Sequence, residues 1–167
     1  MRGPITIILL TICCMGASTQ TGAAQEEEVR AAMVESLAAW SAGDFQRLGT
    51  LFAEQARGYM LGGSVLISGF NPEALEAAVS AGFSFAIEPR EIDIMMVGET
   101  VAAAVAMIEG TITLPGGGVQ EGPWQYSETR VLENGRWKVI QYHFSPLAAA
   151  QEGRTERSAS GFQSILP

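Results

Sequence analysis

The sequence is poor in the residues that most often carry reactive chemistry, with two cysteines and one histidine in 167 residues. Both cysteines, Cys13 and Cys14, lie in an apolar segment near the N-terminus, so the remainder of the chain has no thiol for a disulfide or a nucleophile. The chain has a single histidine, His143, whereas a typical zinc site has several histidine or cysteine ligands. The glycine-rich stretch at 115–118 lacks the lysine and the following helix of a phosphate-binding loop. We therefore expect neither a metal nor a cofactor.

Charged residues are also scarce, at 17% of the chain, and the formal net charge is −8. No cluster of lysine and arginine occurs, which argues against nucleic acid and anionic membranes as partners, since both attract clustered basic residues. At 47% hydrophobic residues, the chain can bury the core of one domain. Outside the N-terminal segment no run approaches the roughly 20 apolar residues of a membrane-spanning helix.

The first 24 residues have the organisation of a secretory signal peptide. Arg2 supplies the basic start, Ile5 to Met15 the apolar run, and residues 22–24 (Gly-Ala-Ala) the small-residue cleavage site. Cleavage after residue 24 predicts a secreted or periplasmic protein without a membrane anchor. Lipid attachment at Cys13 is the alternative, but Ile12 is bulky where a lipoprotein signal has a small residue.

Three helices are predicted in the first half of the domain. An apolar stripe with spacings of four, four and three predicts the first helix: Val29, Met33, Leu37 and Trp40. Gly43 ends this helix and Asp44 can cap a second one that runs to Ala53. Asn71, followed by proline and an acid, begins a third helix that runs to about Ala81.

Extended segments account for most of the remaining residues. Alternation and turn signals place them at Ala56 to Leu61, Val65 to Ile67, Phe83 to Val97, Thr100 to Leu114, Trp124 to Leu132, and Arg136 to Phe144. The last four are long and predict an antiparallel sheet beside segregated helices, which is an α+β domain over residues 25–147. The small, polar segment 148–167 is predicted to be a disordered tail.

Two stretches carry a family resemblance: "AAWSAGDF" near the end of the first helix and "SETRVLENGRWKVIQYHFSPL" at the end of the sheet. They resemble the nuclear transport factor 2-like superfamily, specifically its SnoaL-like branch. The second stretch is also similar to the association domain of calcium/calmodulin-dependent protein kinases. The resemblance covers about Glu26 to Leu147. It implies a cone-shaped, barrel-like fold, with a curved sheet wrapped around helices, an internal cavity, and a homodimer packed through the sheet.

The turn at residues 133–135 decides which side chains of the last hairpin face inward. A two-residue turn pairs Arg130 with Val139 and puts His143 on the face of Arg130. A three-residue loop with a glycine bulge pairs Arg130 with Lys138 and turns His143 outward with Trp137 and Val139. Both are chemically allowed. In the kinase association domains the residues matching Arg130 and Phe144 line the pocket, which favours the bulged register.

The favoured register predicts an aromatic inner face that holds one charged pair, Glu128 and Arg130. A buried charge must be paired or neutralised, so the pair is either a structural salt bridge or a site where Arg130 holds an oxygen of a ligand. The pocket positions of the association domains that carry further arginines match Ile108 and Phe144 here, which favours a largely apolar small molecule. The predicted ligand-binding residues are Trp40, Tyr59, Tyr126, Glu128, Arg130, Tyr142 and Phe144.

Catalysis is the alternative function, with Glu109, Glu128 or His143 as the base of an isomerase, cyclase or hydrolase. The chain lacks the second histidine of dehydratase relatives and the carboxylate arrangement of steroid-isomerase relatives, so those two chemistries are not expected. No acid neighbours His143 in sequence to orient it, so an interface role on the outer face is the simpler interpretation. A pure assembly module, like the kinase association domains, is the remaining alternative.

Overall fold

A computed structural model describes residues 22–60 and 66–147. The predicted tail and most of the predicted signal peptide lie outside the described residues. The described residues form three helices: α1 (Gly22–Ala42), α2 (Phe45–Leu51) and α3 (Pro72–Ser80). The strands are β1 (Phe52–Tyr59), β2 (Ile67–Ser68), β3 (Ser84–Met96), β4 (Val101–Thr113), β5 (Val119–Glu121), β6 (Trp124–Glu133) and β7 (Arg136–Pro146).

The helices begin and end close to the predicted positions. Asp44 caps α2 by accepting a hydrogen bond from the Arg47 amide at 2.9 Å, and Asn71 caps α3 by accepting from the Ala74 amide at 3.0 Å. The prediction that the second helix continues to Ala53 was wrong. The backbone becomes extended at Phe52, where β1 begins four residues before its predicted start.

The strands form one curved, unclosed sheet in the order β2-β1-β7-β6-β4-β3, with β5 paired to β4. The pairs are antiparallel except for β1 with β7, which run parallel. β5 was not predicted, because its three residues lie in a segment that reads as a loop. The α+β class, with helices beside an antiparallel sheet, is confirmed.

The main core lies between the helices and one face of the sheet, here called the inner face. The predicted stripe of α1 packs into this side, with Val29, Met33 and Leu37 buried and Trp40 half-buried. The opposite side of the sheet, here called the outer face, is covered by no described element. Within the described residues, none of the helices combines the length and apolar character that a membrane span requires.

The terminal hairpin combines a two-residue turn with a bulge farther along β7, and neither predicted register contained that combination. Asn134 and Gly135 both have positive φ, 52° and 75°, which is the conformation of a type I′ turn, and Arg130 pairs with Val139. The register then shifts, because Thr129 pairs with Gln141 and leaves Ile140 as the extra residue. The favoured pairing of Arg130 with Lys138 was therefore wrong.

The bulge decides which side chains of β7 enter the core. Trp137 and Val139, which the favoured register placed on the outer face, are buried at 5% and 0% exposure. Beyond the bulge the alternation is reset, so Tyr142 and Phe144 are also buried, opposite Glu128 and Tyr126 of β6. His143 is exposed on the outer face, as the favoured register predicted.

Candidate functional site

The predicted charged pair lies at the buried junction of α1, β6 and β7. Glu128 and Arg130 are 2% and 0% exposed, and Nε of Arg130 donates to Oε1 of Glu128. Nη2 of Arg130 donates to Oε2 of Glu128 at 3.2 Å and to Oγ of Ser36 at 2.8 Å. Nη1 donates to the carbonyl oxygen of Trp137 at 3.1 Å. The guanidinium is therefore held by a helix and by both strands of the terminal hairpin.

This arrangement satisfies the requirement that a buried charge be paired and hydrogen-bonded. The second carboxylate oxygen of Glu128 also accepts a hydrogen bond from the Tyr126 hydroxyl at 2.8 Å. Of the two predicted roles, the geometry matches the structural salt bridge, because each nitrogen of the Arg130 guanidinium already donates to a protein oxygen.

Both inner-face tyrosines are held in their neutral form. Burial raises the pKa of Tyr126 well above its ordinary value, and the negative charge of Glu128 raises it further. Burial also raises the pKa of Tyr142. The two phenols can therefore donate hydrogen bonds at neutral pH but cannot act as bases there.

An aromatic cluster fills most of the space between the helices and the inner face. The Trp40 ring packs edge-on against the Phe85 ring with centroids 4.9 Å apart, and the Phe52 and Tyr142 rings meet in the same way at 5.6 Å. The remaining void is about 10 Å³, which admits roughly one water-sized sphere. It is lined by Leu37, Trp40, Phe52, Met60, Phe85, Ile87, Tyr126, Tyr142 and Phe144.

Only some of the predicted ligand-binding residues line the void. Four of the seven predicted residues line it: Trp40, Tyr126, Tyr142 and Phe144. Glu128 and Arg130 are not among the lining residues. Tyr59 is 37% exposed on the outer face, with its ring centroid 5.9 Å from that of His143, so the prediction that it faces inward was wrong.

Gly58 explains why Tyr59 points outward. A Cβ atom built on Gly58 would lie 2.6 Å from the Tyr142 ring and 2.3 Å from the Tyr142 carbonyl oxygen. The inward position of β1 is therefore occupied by the glycine, and the next side chain falls on the opposite face. A glycine inside a predicted strand signals such a close approach and could have indicated it.

The sequence did not predict the other side chains that line the void, among them Phe52, Met60 and Phe85. Phe52 was assigned to a helix, and Met60 to a strand that ends in fact at Tyr59. Tyr142, one of the residues that line the void, carries a hydroxyl group that can form further hydrogen bonds. Among the described residues the Tyr142 hydroxyl makes no hydrogen bond, and its side chain is not wholly enclosed.

A second and larger concavity, here called the outer groove, crosses the outer face. Its volume is about 510 Å³, and it is lined by Glu91, Val105, Ala106, Met107, Gln125, Tyr126, Ser127, His143 and Ser145. Glu91 has a positive φ of 49°, at the point where the register of β3 with β4 shifts. A bulge of this kind re-aims side chains, and here the bulge residue forms part of the groove wall.

The three catalytic candidates are not brought together. Glu128 is buried against Arg130, whereas Glu109 is exposed and accepts a hydrogen bond from Nε of Arg90 at 3.1 Å. His143 lies in the outer groove without Glu109. Across residues 22–60 and 66–147, no three histidine, aspartate or glutamate side chains are grouped so that they could hold a metal ion.

Comparison with known proteins identifies the family. Residues 29–149 match the model of the SnoaL-like domain. No curated protein matches the sequence.

Solved structures share the fold at low sequence identity. A ketosteroid isomerase-like protein from Erwinia carotovora atroseptica is 18% identical, with a TM-score of 0.63 over 75% of this chain and 98% of its own. An NTF2-like protein from Cytophaga hutchinsonii is 18% identical, with a TM-score of 0.63 over 74% of this chain and 98% of its own. The association domain of C. elegans CaMKII is 17% identical, with a TM-score of 0.57 over 74% of this chain and 96% of its own. The chain belongs to the SnoaL-like domain family and has the cone-shaped α+β fold of NTF2-like proteins.

Proposed function

We propose that the protein binds a small, largely apolar molecule within the aromatic cluster of the inner face. The observation that carries the proposal is the composition of this wall: apolar and aromatic side chains surround the void, and the Tyr142 hydroxyl has no partner among the described residues. Binding sites for small molecules typically have this composition, an apolar lining with a few polar groups that orient the ligand.

Binding requires the cluster to open, because a void of about 10 Å³ is far below the roughly 300 Å³ of a typical ligand pocket. Trp40 and Met60 are the half-buried members of the lining, so their side chains can move at the least cost in buried surface. A ligand would replace their contacts with its own and thereby select the open form.

The test compares 2-naphthol with naphthalene, which differ by one hydroxyl. Thermal unfolding is measured with each compound, and both are expected to raise the melting temperature. The variant Tyr142→Phe is expected to weaken 2-naphthol binding about 2- to 10-fold, the worth of one hydrogen bond, and to leave naphthalene binding unchanged. Phe144→Ala should alter the affinity for both compounds. If neither compound stabilises the protein, or if both variants bind both compounds as the wild type does, the inner-face assignment fails.

We further propose that the protein is a homodimer whose contact surface is the outer face of the sheet. Apolar side chains are exposed there, with Met95 at 61% and Val105 at 49% exposure. One structural neighbour is named for association, which supports a second copy of this chain as the partner. Light scattering across micromolar concentrations is expected to give twice the chain mass, and a strict monomer would rule the dimer out.

Secretion is the third part of the proposal. It rests on the basic, apolar and small-residue organisation of the first 24 residues. The N-terminal residue of protein purified from its native cells should be Gln25. A protein that retains Met1, or one that carries lipid on Cys13, contradicts cleavage after Ala24.

A further inference from the structure

We infer that the two-fold axis of the proposed homodimer runs along β6, so that the outer side chains of this strand face the same side chains of the partner copy. The inference rests on the proposed dimer and specifies how its two outer faces meet. Three features carry it: the residue types on β6, the charges on either side of β6, and the number of strands that the contact can cover.

The outer side chains of β6 suit a position on a two-fold axis. A residue on such an axis meets its own copy, so a charged side chain would oppose a like charge there. A group that both donates and accepts hydrogen bonds can instead pair with itself. β6 carries such groups at three successive outer positions: Gln125, Ser127 and Thr129. Within β6, all of whose residues are described, Glu133 is the one charged outer residue; it lies beside the turn and pairs with Lys138 of its own copy.

The charges on the outer face lie to either side of β6 and are opposite in sign. Four carboxylates and one guanidinium lie on β3 and β4 at one side: Glu88, Glu91, Asp93, Glu109 and Arg90. At the other side, β1 and β7 carry the basic side chains of Arg57 and Lys138. An axis along β6 places the acidic side of each copy over the basic side of its partner. An axis across the strands would place the acidic side over itself and oppose like charges.

The strand pairings show which residues meet under this axis, because rotation about it leaves height along the strands unchanged. One row at a single height crosses the sheet from β1 to β3: Tyr59, His143, Ser127, Val105 and Asp93. The axis sets Tyr59 over the partner's Asp93, where the phenol can donate to the carboxylate. Among the described residues Asp93 has no salt bridge within its own copy. In the next row Arg57 lies over the partner's Met95, against which its methylene groups can pack.

The position of β6 in the sheet also gives the largest contact. β6 is the central strand of the order β1-β7-β6-β4-β3, so an axis along it overlaps five strands of each copy. Five strands at about 4.8 Å spacing, over the 10 residues of β6, give a footprint of roughly 800 Å² per copy. This is about the size of a typical stable interface. An axis along the more apolar β4 would overlap three strands, or roughly 500 Å².

A mixing experiment tests the position of the axis. The variants Gln125→Glu and Gln125→Lys are prepared, one of them isotope-labelled so that native mass spectrometry separates the three possible dimers. If Gln125 faces itself, each homodimer opposes like charges and the mixed dimer opposes unlike charges. The share of mixed dimer should therefore rise from one half, the chance value, to roughly 70–85%, as expected for weak pairs of exposed charges.

The pair Gln141→Glu and Gln141→Lys is the matched control. Gln141 is also an exposed glutamine of the outer face, but it lies on β7, one strand away from β6. The axis separates the two Gln141 positions of a dimer by about 10 Å sideways, in addition to about 10 Å between the opposed sheets. Salt screens exposed charges at this separation, so the mixed dimer of this pair should stay near one half.

The outcomes separate the inference from the dimer on which it rests. A wild-type monomer overturns both. A wild-type dimer whose Gln125 variants form the mixed dimer at the chance share or below keeps the dimer and overturns the axis along β6. A larger share for the Gln141 pair than for the Gln125 pair moves the axis to β7 and also overturns the inference. Circular dichroism checks that each variant is folded, which is expected because both glutamines are exposed.

Discussion

Replacing Arg130 with methionine removes the cation at the centre of the buried network and leaves a similar volume behind. Glu128 would then remain 2% exposed without its counter-ion, and Ser36 and the Trp137 carbonyl would lose their donor. Removal of one partner of a buried ion pair typically costs about 3–5 kcal/mol. For a domain of this size that corresponds to a fall in melting temperature of roughly 10–20 °C.

The double variant Glu128→Leu with Arg130→Met isolates the interaction. With both charges gone, no uncompensated charge stays in the core, and such replacements are often close to neutral. The Tyr126 hydroxyl, which donates to Glu128 at 2.8 Å, would lose its acceptor and keep the recovery incomplete. We therefore expect the double variant to recover most of the loss caused by Arg130→Met alone.

Urea unfolding of the wild type, the two single variants and the double variant gives the coupling energy, which should exceed about 2 kcal/mol. Lys138→Met is the matched control, because it removes a cation from the same hairpin. The ion pair of Lys138 with Glu133 is partly exposed, with the two charged groups 3.5 Å apart. Its cost should stay below about 1 kcal/mol. The reasoning is refuted if Arg130→Met costs no more than this control, or if the losses of the single variants simply add in the double variant.

Three further results are expected. Gly58→Ala should lower stability and increase the exposure of the Tyr142 ring, because the new Cβ would lie 2.6 Å from that ring. Urea unfolding measures the loss of stability, and near-ultraviolet circular dichroism reports the change at the ring. An unchanged spectrum would contradict the close approach of Gly58 to Tyr142. Ser36→Ala should lower the free energy of unfolding in urea by about 1–3 kcal/mol, because Arg130 loses a hydrogen-bond acceptor in a buried site. An unchanged free energy of unfolding would mean that the Ser36 hydroxyl is not needed there. The raised pKa of Tyr126 predicts that stability falls as pH rises above the ordinary value of 10.0, since the unfolded chain releases this proton before the folded one does. The slope from this group should approach about 1.4 kcal/mol per pH unit and be absent in Tyr126→Phe, and equal slopes in the two proteins would refute it.

The sequence was informative wherever local chemistry determines the structure. The stripe of α1 and the caps Asp44 and Asn71 each depend on residues close together in the chain. The turn was located correctly at residues 133–135, but the favoured three-residue loop was wrong, because Asn134 and Gly135 form a two-residue turn. The boundary between α2 and β1 was misplaced because residues 52–53 are apolar and fit the buried side of a helix as well as that of a strand. Both are buried in the structure.

The candidate site was less predictable, because it depends on a bulge and on how completely side chains fill a volume. Ile140 is the extra residue of the bulge, and no glycine or proline at that position announces it. The bulge turns Trp137 inward as well as Tyr142, which no regular alternation can do. The small size of the void results from tertiary packing of rings such as Trp40 and Phe85, which a sequence pattern does not encode.

The proposal that a small apolar molecule binds on the inner face is tested most directly by nuclear magnetic resonance with 2-naphthol. Intermolecular contacts between the naphthol protons and the Met60 methyl group, with contacts to the Phe144 ring, are the predicted result, because both side chains line the inner void. Contacts confined to Val105 and Met107 would place the compound in the outer groove and contradict the proposal.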